Sequence, residues 1–185
     1  MTDLSPSIEM QSRAPVGNRA VLKMSTRAAH EGAESRWFSD GRFASRDSYD
    51  HWLKALLKTH QTFGARAVTS TQLGHYQKIE NARQTALCAD LGCDDQATKR
   101  GDPPSDGWAW GVLYVLNGSA LGASMLLKSN SIQDGWPTSY LRVMQGFASS
   151  GQLKSFFGQL DQADAATSDM AAGAKAVFDY LAACK

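Results

Sequence analysis

The chain is short of the residues that build stapled or metal-clustered proteins. Its three cysteines, Cys88, Cys93 and Cys184, are an odd number with no C-x-x-C pair. That excludes a disulfide framework and gives no zinc site, so reduced, structural thiols are expected. Charge of one sign is lacking too. With 19 Lys and Arg against 18 Asp and Glu, the net charge of +1 supplies no field to draw nucleic acid or an anionic membrane. Sustained two-residue alternation with hairpin turns is absent, as are internal repeats, heptads and low-complexity tracts, which argues against a β domain and a solenoid. Residues 1–17, with Pro6 and Pro15, lack the apolar core of a secretory signal. They are read as a flexible arm preceding one domain, 18–185, of a cytoplasmic protein.

What is present is ordinary globular composition: 43% hydrophobic and 20% charged residues in a length that fits one core. From Gly107 to Leu127 no residue is charged, a length that could cross a bilayer. Asn117, Ser119 and Ser124 interrupt that stretch, and the neighbouring segments have one-sided apolar patterns that need covering, so a central core helix is expected rather than a membrane span.

Those neighbours read as helices. After Ser45, a candidate N-cap, Tyr49, Trp52, Leu53, Leu56, Leu57 and Phe63 form one stripe. Met170, Ala174, Val177, Phe178 and Leu181 share a face behind a cap at Thr167 or Ser168. The spacing predicts a helix over 78–91 ended by Gly92, short helices over 141–147 and 153–160, and breaks at 101–106 and 135–137. The fold class is all-α.

Two groups of residues carry chemistry. The segment 18–34 reads as one helix on which Lys23, Arg27, His30 and Glu34 fall at i, i+4, i+7 and i+11, along one face. Imidazole is a standard axial ligand of haem iron and works best when its second ring nitrogen has an acceptor, which Glu34 is placed to supply. Lys23 and Arg27 could hold haem carboxylates. Taken alone, the stripe reads more readily as a solvated helix face. His51, His60 and His75 are read as lone surface or packing histidines. The second group is Gly111, Gly118 and Gly122 on one face of the apolar helix. Each interior glycine costs about 1 kcal/mol against alanine, so the placement needs a reason. Contact with a flat ligand and close packing of helices both suffice.

Together the two groups carry a resemblance. Leu22-Lys23-Met24-Ser25-Thr26-Arg27-Ala28-Ala29-His30-Glu31-Gly32-Ala33-Glu34 resembles the L-K-x-x-T-[RK]-x-x-H-x-x-x-E proximal helix of haem oxygenases. Tyr114-Val115-Leu116-Asn117-Gly118-Ser119-Ala120-Leu121-Gly122 is similar to the Y-V-x-E-G-S-x-L-G distal helix of the bacterial members. Arg83 to Gly92 is similar to their R-x-x-x-L-x-x-D-L-x-x-L-G segment, with the glycine early, and 174–181 to their C-terminal helix. The similarity spans about 22–181.

The resemblance implies a bacterial-type haem oxygenase, which cleaves bound haem with O2 and electrons to biliverdin, carbon monoxide and ferrous iron. His30 would be the axial ligand and Glu34 its partner; Lys23 and Tyr114 would meet the propionates, with Arg27 at the haem edge. Gly118, Ser119 and Gly122 would line the distal side. An external electron donor of ferredoxin or reductase type is implied, and a bacterial phytochrome is a possible recipient of biliverdin. Lys23 and Tyr114 favour attack at the α-meso carbon. Two departures stand out: Asn117 replaces the distal Glu, so the distal water network is expected to differ, and the match weakens after Gly135. A haem carrier or sensor would use the same residues. A thiaminase-type relative would need a cysteine nucleophile, and none of the three cysteines shows a base partner in the sequence.

Overall fold

The structure, a computed structural model, describes residues 17–38, 43–94, 101–129 and 131–184. Every regular element among the described residues is helical and no strand occurs there. The arm expected over 1–17 lies outside the described residues apart from Gly17, the N-cap residue just before the first helix.

Where one helix was expected over 18–34 there are two, α1 (Asn18–Ser25) and α2 (Arg27–Trp37), broken at Thr26. Thr26 is buried, and its hydroxyl donates to the Leu22 carbonyl at 2.7 Å. Such back-bonding competes with the helical ladder and bends it. Helix α3 (Arg46–Thr59) starts as the sequence predicts, with a reciprocal capping box between Ser45 and Ser48. It runs through a π-turn, His60–Gly64, into the single turn α4 (Ala65–Ala67). Helix α5 (Gln77–Leu91) ends at Gly92, whose φ of 64° is the left-handed stop that glycine adopts without penalty.

The charge-free stretch forms α6 (Asp106–Lys128), followed by α7 (Ser139–Ser149), α8 (Gln152–Gln162) and α9 (Thr167–Ala183). Helix α6 is long and apolar enough to cross a membrane, with a mean hydropathy of 1.4, but half of that window is buried inside the protein. Ala109, Val112, Leu113 and Ala120 are fully buried. Burying side chains of Val or Leu size is worth roughly 1.5–3 kcal/mol each, so this helix is the centre of the core.

Helix α9 lies alongside α6 at very close range. A Cβ on Gly111 would overlap the Met170 carbonyl, and one on Gly173 would overlap the Trp108 carbonyl. The two helices run in the same sense, since Gly107 faces Ala165 to Asp169 while Gly111 faces Met170 to Ala174. Thr167 is the first helical residue rather than the cap; its hydroxyl donates instead to Asn18 Oδ1 at 3.4 Å, tying α9 to α1. On the other flank of α6, the Asp90 carboxylate accepts from the amides of Ser139 and Tyr140 at 2.8 and 2.9 Å. Asp90, at the end of α5, thereby satisfies two orphan N–H groups at the start of α7.

Candidate functional site

The glycines of α6 divide. Gly111 serves contact with α9, whereas a Cβ added at Gly118 or Gly122 would meet nothing within 4 Å. Helices α1 and α2 pack chiefly on α8 and α9 rather than on α6, so they leave this part of α6 uncovered. Leu121 and Gly122 lie three and four residues after Gly118, and Met125 four and three after them, so the four share a face. Leu121 is 51% and Met125 72% exposed, and Met24 on α1, at 68%, completes the set of exposed large hydrophobic side chains among the described residues. Exposed apolar side chains next to bare helix backbone mark a surface suited to a flat apolar ligand.

His30 stands on α2 with half of its side chain exposed. Its ring meets Phe178 of α9 edge-on, with centroids 5.3 Å apart. Nδ1 of His30 is 3.5 Å from Glu34 Oε2, beyond the roughly 2.7–3.2 Å of a direct hydrogen bond and close enough for a small adjustment to make one.

Lys23 is exposed one turn before the break, and Arg27 is exposed and paired with Glu31 at 2.8 Å, which holds its Nε. The break therefore takes Lys23 and Arg27 onto different helices from the one continuous face expected. Tyr114 is half-buried on α6; burial pushes its hydroxyl pKa up, against the opposing effects of nearby Thr26 and Arg19. Ser119 is exposed beside Gly118, and its hydroxyl donates to the Leu116 carbonyl at 2.8 Å.

Two sequence expectations are corrected. Asn117 does not join the open face: it is fully buried, with Oδ1 accepting from Arg83 Nη2 at 2.7 Å. His60 is no lone histidine: it is fully buried between Glu80 and Tyr140. Its partners lie 20 and 80 residues away, so sequence spacing carried no signal of them.

No group of three or more His, Cys, Asp and Glu that could hold a metal ion occurs among the described residues. His30 offers a single ligand, which suits iron already held by a porphyrin. An open depression of about 430 Å³ beside α8, lined by His75, Lys78 and Ile79 among others, shares no residue with this region. No family model matches the chain, and no curated protein matches it.

Proposed function

We propose that the chain binds haem between His30 of α2 and the Gly118–Met125 face of α6, and cleaves it to biliverdin, carbon monoxide and ferrous iron. The observation that carries this reading is the contrast between glycines: Gly111 is consumed by helix packing, while Gly118 and Gly122 open on space. Each of those two glycines costs the helix about 1 kcal/mol of propensity against alanine, and the space over them would let a flat ligand approach the backbone. The half-exposed imidazole edge-on to Phe178, and the exposed apolar side chains of Leu121 and Met125 beside Gly118 and Gly122, suit the same group.

Bound haem would supply iron to activate O2, and its own ring is the substrate. The protein's share is to hold and orient. His30 would ligate the iron through Nε2, with Glu34, 3.5 Å from Nδ1, placed to accept from that nitrogen after a small adjustment. Lys23, Arg27 and Tyr114 would supply donors for the two carboxylates. Gly118 and Gly122 let the backbone of α6 approach closely, and Ser119 places a hydroxyl at that edge. Seating by Lys23 and Tyr114 is expected to give the α isomer. An external electron donor and O2 complete the reaction, in a cytoplasmic setting, with phytochrome a possible recipient of the product.

The test is a hemin titration followed by reduction in air. One equivalent should produce a Soret band that His30→Ala shifts or abolishes, and the wild-type complex should then yield biliverdin. A Soret band that persists under reductant and air would assign the same site to a carrier or sensor. Absence of stoichiometric uptake, or an unchanged band in His30→Ala, would overturn the reading.

A further inference from the structure

The π-turn at the end of α3 holds a buried tyrosine against a base. His60 Nε2 is 3.1 Å from the Tyr140 hydroxyl, and His60 Nδ1 is 2.8 Å from Glu80 Oε1. His60 and Glu80 are fully buried and Tyr140 is nearly so. Glycine at position 64 makes the arrangement possible, because a Cβ there would overlap Glu80 Oε1. An ionised carboxylate only accepts, so in the neutral imidazole Nδ1–H faces Glu80 and the Nε2 lone pair accepts from Tyr140. Tyr49 and Tyr76, by contrast, donate to neutral oxygens, the Pro137 carbonyl at 2.6 Å and Gln159 Oε1 at 3.3 Å.

Packing alone accounts poorly for the base. A carbonyl would satisfy the Tyr140 hydroxyl as one satisfies Tyr49. The imidazole instead brings a buried carboxylate with it, and Glu80 Oε2 and Arg83 Nη1, 3.5 Å apart, make no hydrogen bond. Buried ion pairs are often matched or bettered by apolar residues of like volume. Buried titratable groups in specific contact are instead a recurring feature of functional sites.

Tyr140 is also the inner end of a line of oxidisable rings. It meets Trp52 with centroids 6.4 Å apart, Trp52 stacks on Tyr49 at 5.8 Å, and Tyr49 stacks on Trp136 at 5.1 Å. Trp52 and Trp136 are half-buried, so the line reaches the surface. Electron transfer slows steeply with distance, and rings in contact pass an electron readily. A phenol that loses an electron becomes a strong acid and must give up its proton in the same step. Burial pushes the Tyr140 hydroxyl pKa up to about 12, so the proton is in place beforehand and needs an acceptor within hydrogen-bond reach. His60 Nε2 is that acceptor.

We propose that Tyr140 is a one-electron redox site, oxidised through Trp52 with His60 as its proton acceptor. The proposal stands apart from the haem reading. A one-electron oxidant of the peroxyl-radical class takes an electron from Trp52 and leaves as the peroxide anion. Trp52 regains an electron from Tyr140, whose O–H bond breaks as an N–H bond forms at His60 Nε2. Tyr140 is then a neutral radical, His60 an imidazolium beside Glu80, and Trp52 is as it began. A one-electron reductant such as ascorbate returns the electron, and the proton goes back from Nε2 to the phenol oxygen. The line thus collects an oxidising equivalent at the surface and holds it on a buried oxygen.

Photogenerated tris(bipyridine)ruthenium(III) serves as the oxidant in a laser-flash experiment on the whole chain. A tryptophan-radical absorption should appear first and decay in step with the rise of a tyrosyl signal, and that rise should be slower in D2O than in H2O. Tyr140→Phe removes one hydroxyl and little volume. The tyrosyl signal should fall severalfold and the tryptophan radical should live severalfold longer. Trp52→Phe should slow the tyrosyl rise severalfold. A tyrosyl signal of wild-type size in Tyr140→Phe would overturn the proposal, and an unchanged rise in Trp52→Phe would overturn entry through Trp52. An equal rise in D2O and H2O would overturn it too, because no proton would then be moving to His60. That comparison uses wild-type protein, so it decides the matter even where a variant fails to fold. All these readouts are made without hemin, so their outcome is separate from whether the chain binds haem.

Discussion

His30 meets the ring of Phe178 at an interplanar angle of 79°, so an imidazole that is half in solvent is nonetheless steered by a buried side chain of α9. Edge-to-face aromatic pairs are worth about 0.5–1.5 kcal/mol beyond their area. Phe178→Leu keeps the apolar volume and loses the edge. Hemin affinity should then drop by about 2–10-fold, the equivalent of that energy, as read by Soret titration. An unchanged Kd would show that Phe178 does not orient His30.

The two uses of glycine on α6 predict opposite outcomes for one chemical change. Gly111→Ala forces a methyl into the Met170 carbonyl, and backbone on both sides leaves nothing to yield. Overpacking of this kind costs roughly 1–3 kcal/mol and more where relief is blocked. Gly118→Ala meets open space, so the haem-free protein should gain about 0.5–1 kcal/mol from helix propensity. Thermal melts of the two variants would separate them. Gly118→Leu should in addition obstruct haem uptake, and normal uptake would show that the ligand lies elsewhere.

The sequence made the helices legible because their apolar stripes repeat with the helical period and their ends carry local signals, as at Ser45 and Gly92. It also brought His30, Glu34, Gly118 and Gly122 forward by spacing. The break at Thr26 escaped because a threonine inside a helical pattern is unremarkable until its hydroxyl finds the Leu22 carbonyl at 2.7 Å. The split between Gly111 and Gly118 depends on what α9 does, which the spacing on α6 does not contain. The His60 cluster escaped for a related reason: its partners Glu80 and Tyr140 lie 20 and 80 residues away on other helices, which the spacing around His60 does not contain.

Glu80 predicts an acid limit to stability. Burial opposes ionisation of its carboxyl, but the charge and hydrogen bond of His60, the Arg83 guanidinium and Gln84 outweigh it and hold the pKa below the ordinary 4.5. Between that lowered value and 4.5 the unfolded chain binds a proton that the native state does not, so stability rises with pH across this window. The contribution is present above 4.5 and is lost as pH falls through the native value. Urea midpoints measured from about pH 5 downward should therefore decline less steeply in Glu80→Gln than in wild type, from a lower starting stability. Parallel slopes would show that Glu80 is not held ionised.

Asn117 supplies the test of which way the middle of α6 faces. Its side chain is fully buried and its oxygen is the acceptor for Arg83 Nη2. Asn117→Leu keeps approximate volume and strips the acceptor from a buried cation. A hydrogen bond to a charged group is worth roughly 1.5–3 kcal/mol, and at this chain length each kcal/mol moves Tm by about 2–4 °C. Tm should fall accordingly while hemin stoichiometry and affinity stay at wild-type values, because the residue points away from Gly118 and Gly122. The opposite pattern, an unchanged Tm with weakened or spectrally altered hemin binding, would mean that Asn117 turns toward the ligand and that the open face of α6 lies about one residue round the helix from where Gly118 puts it.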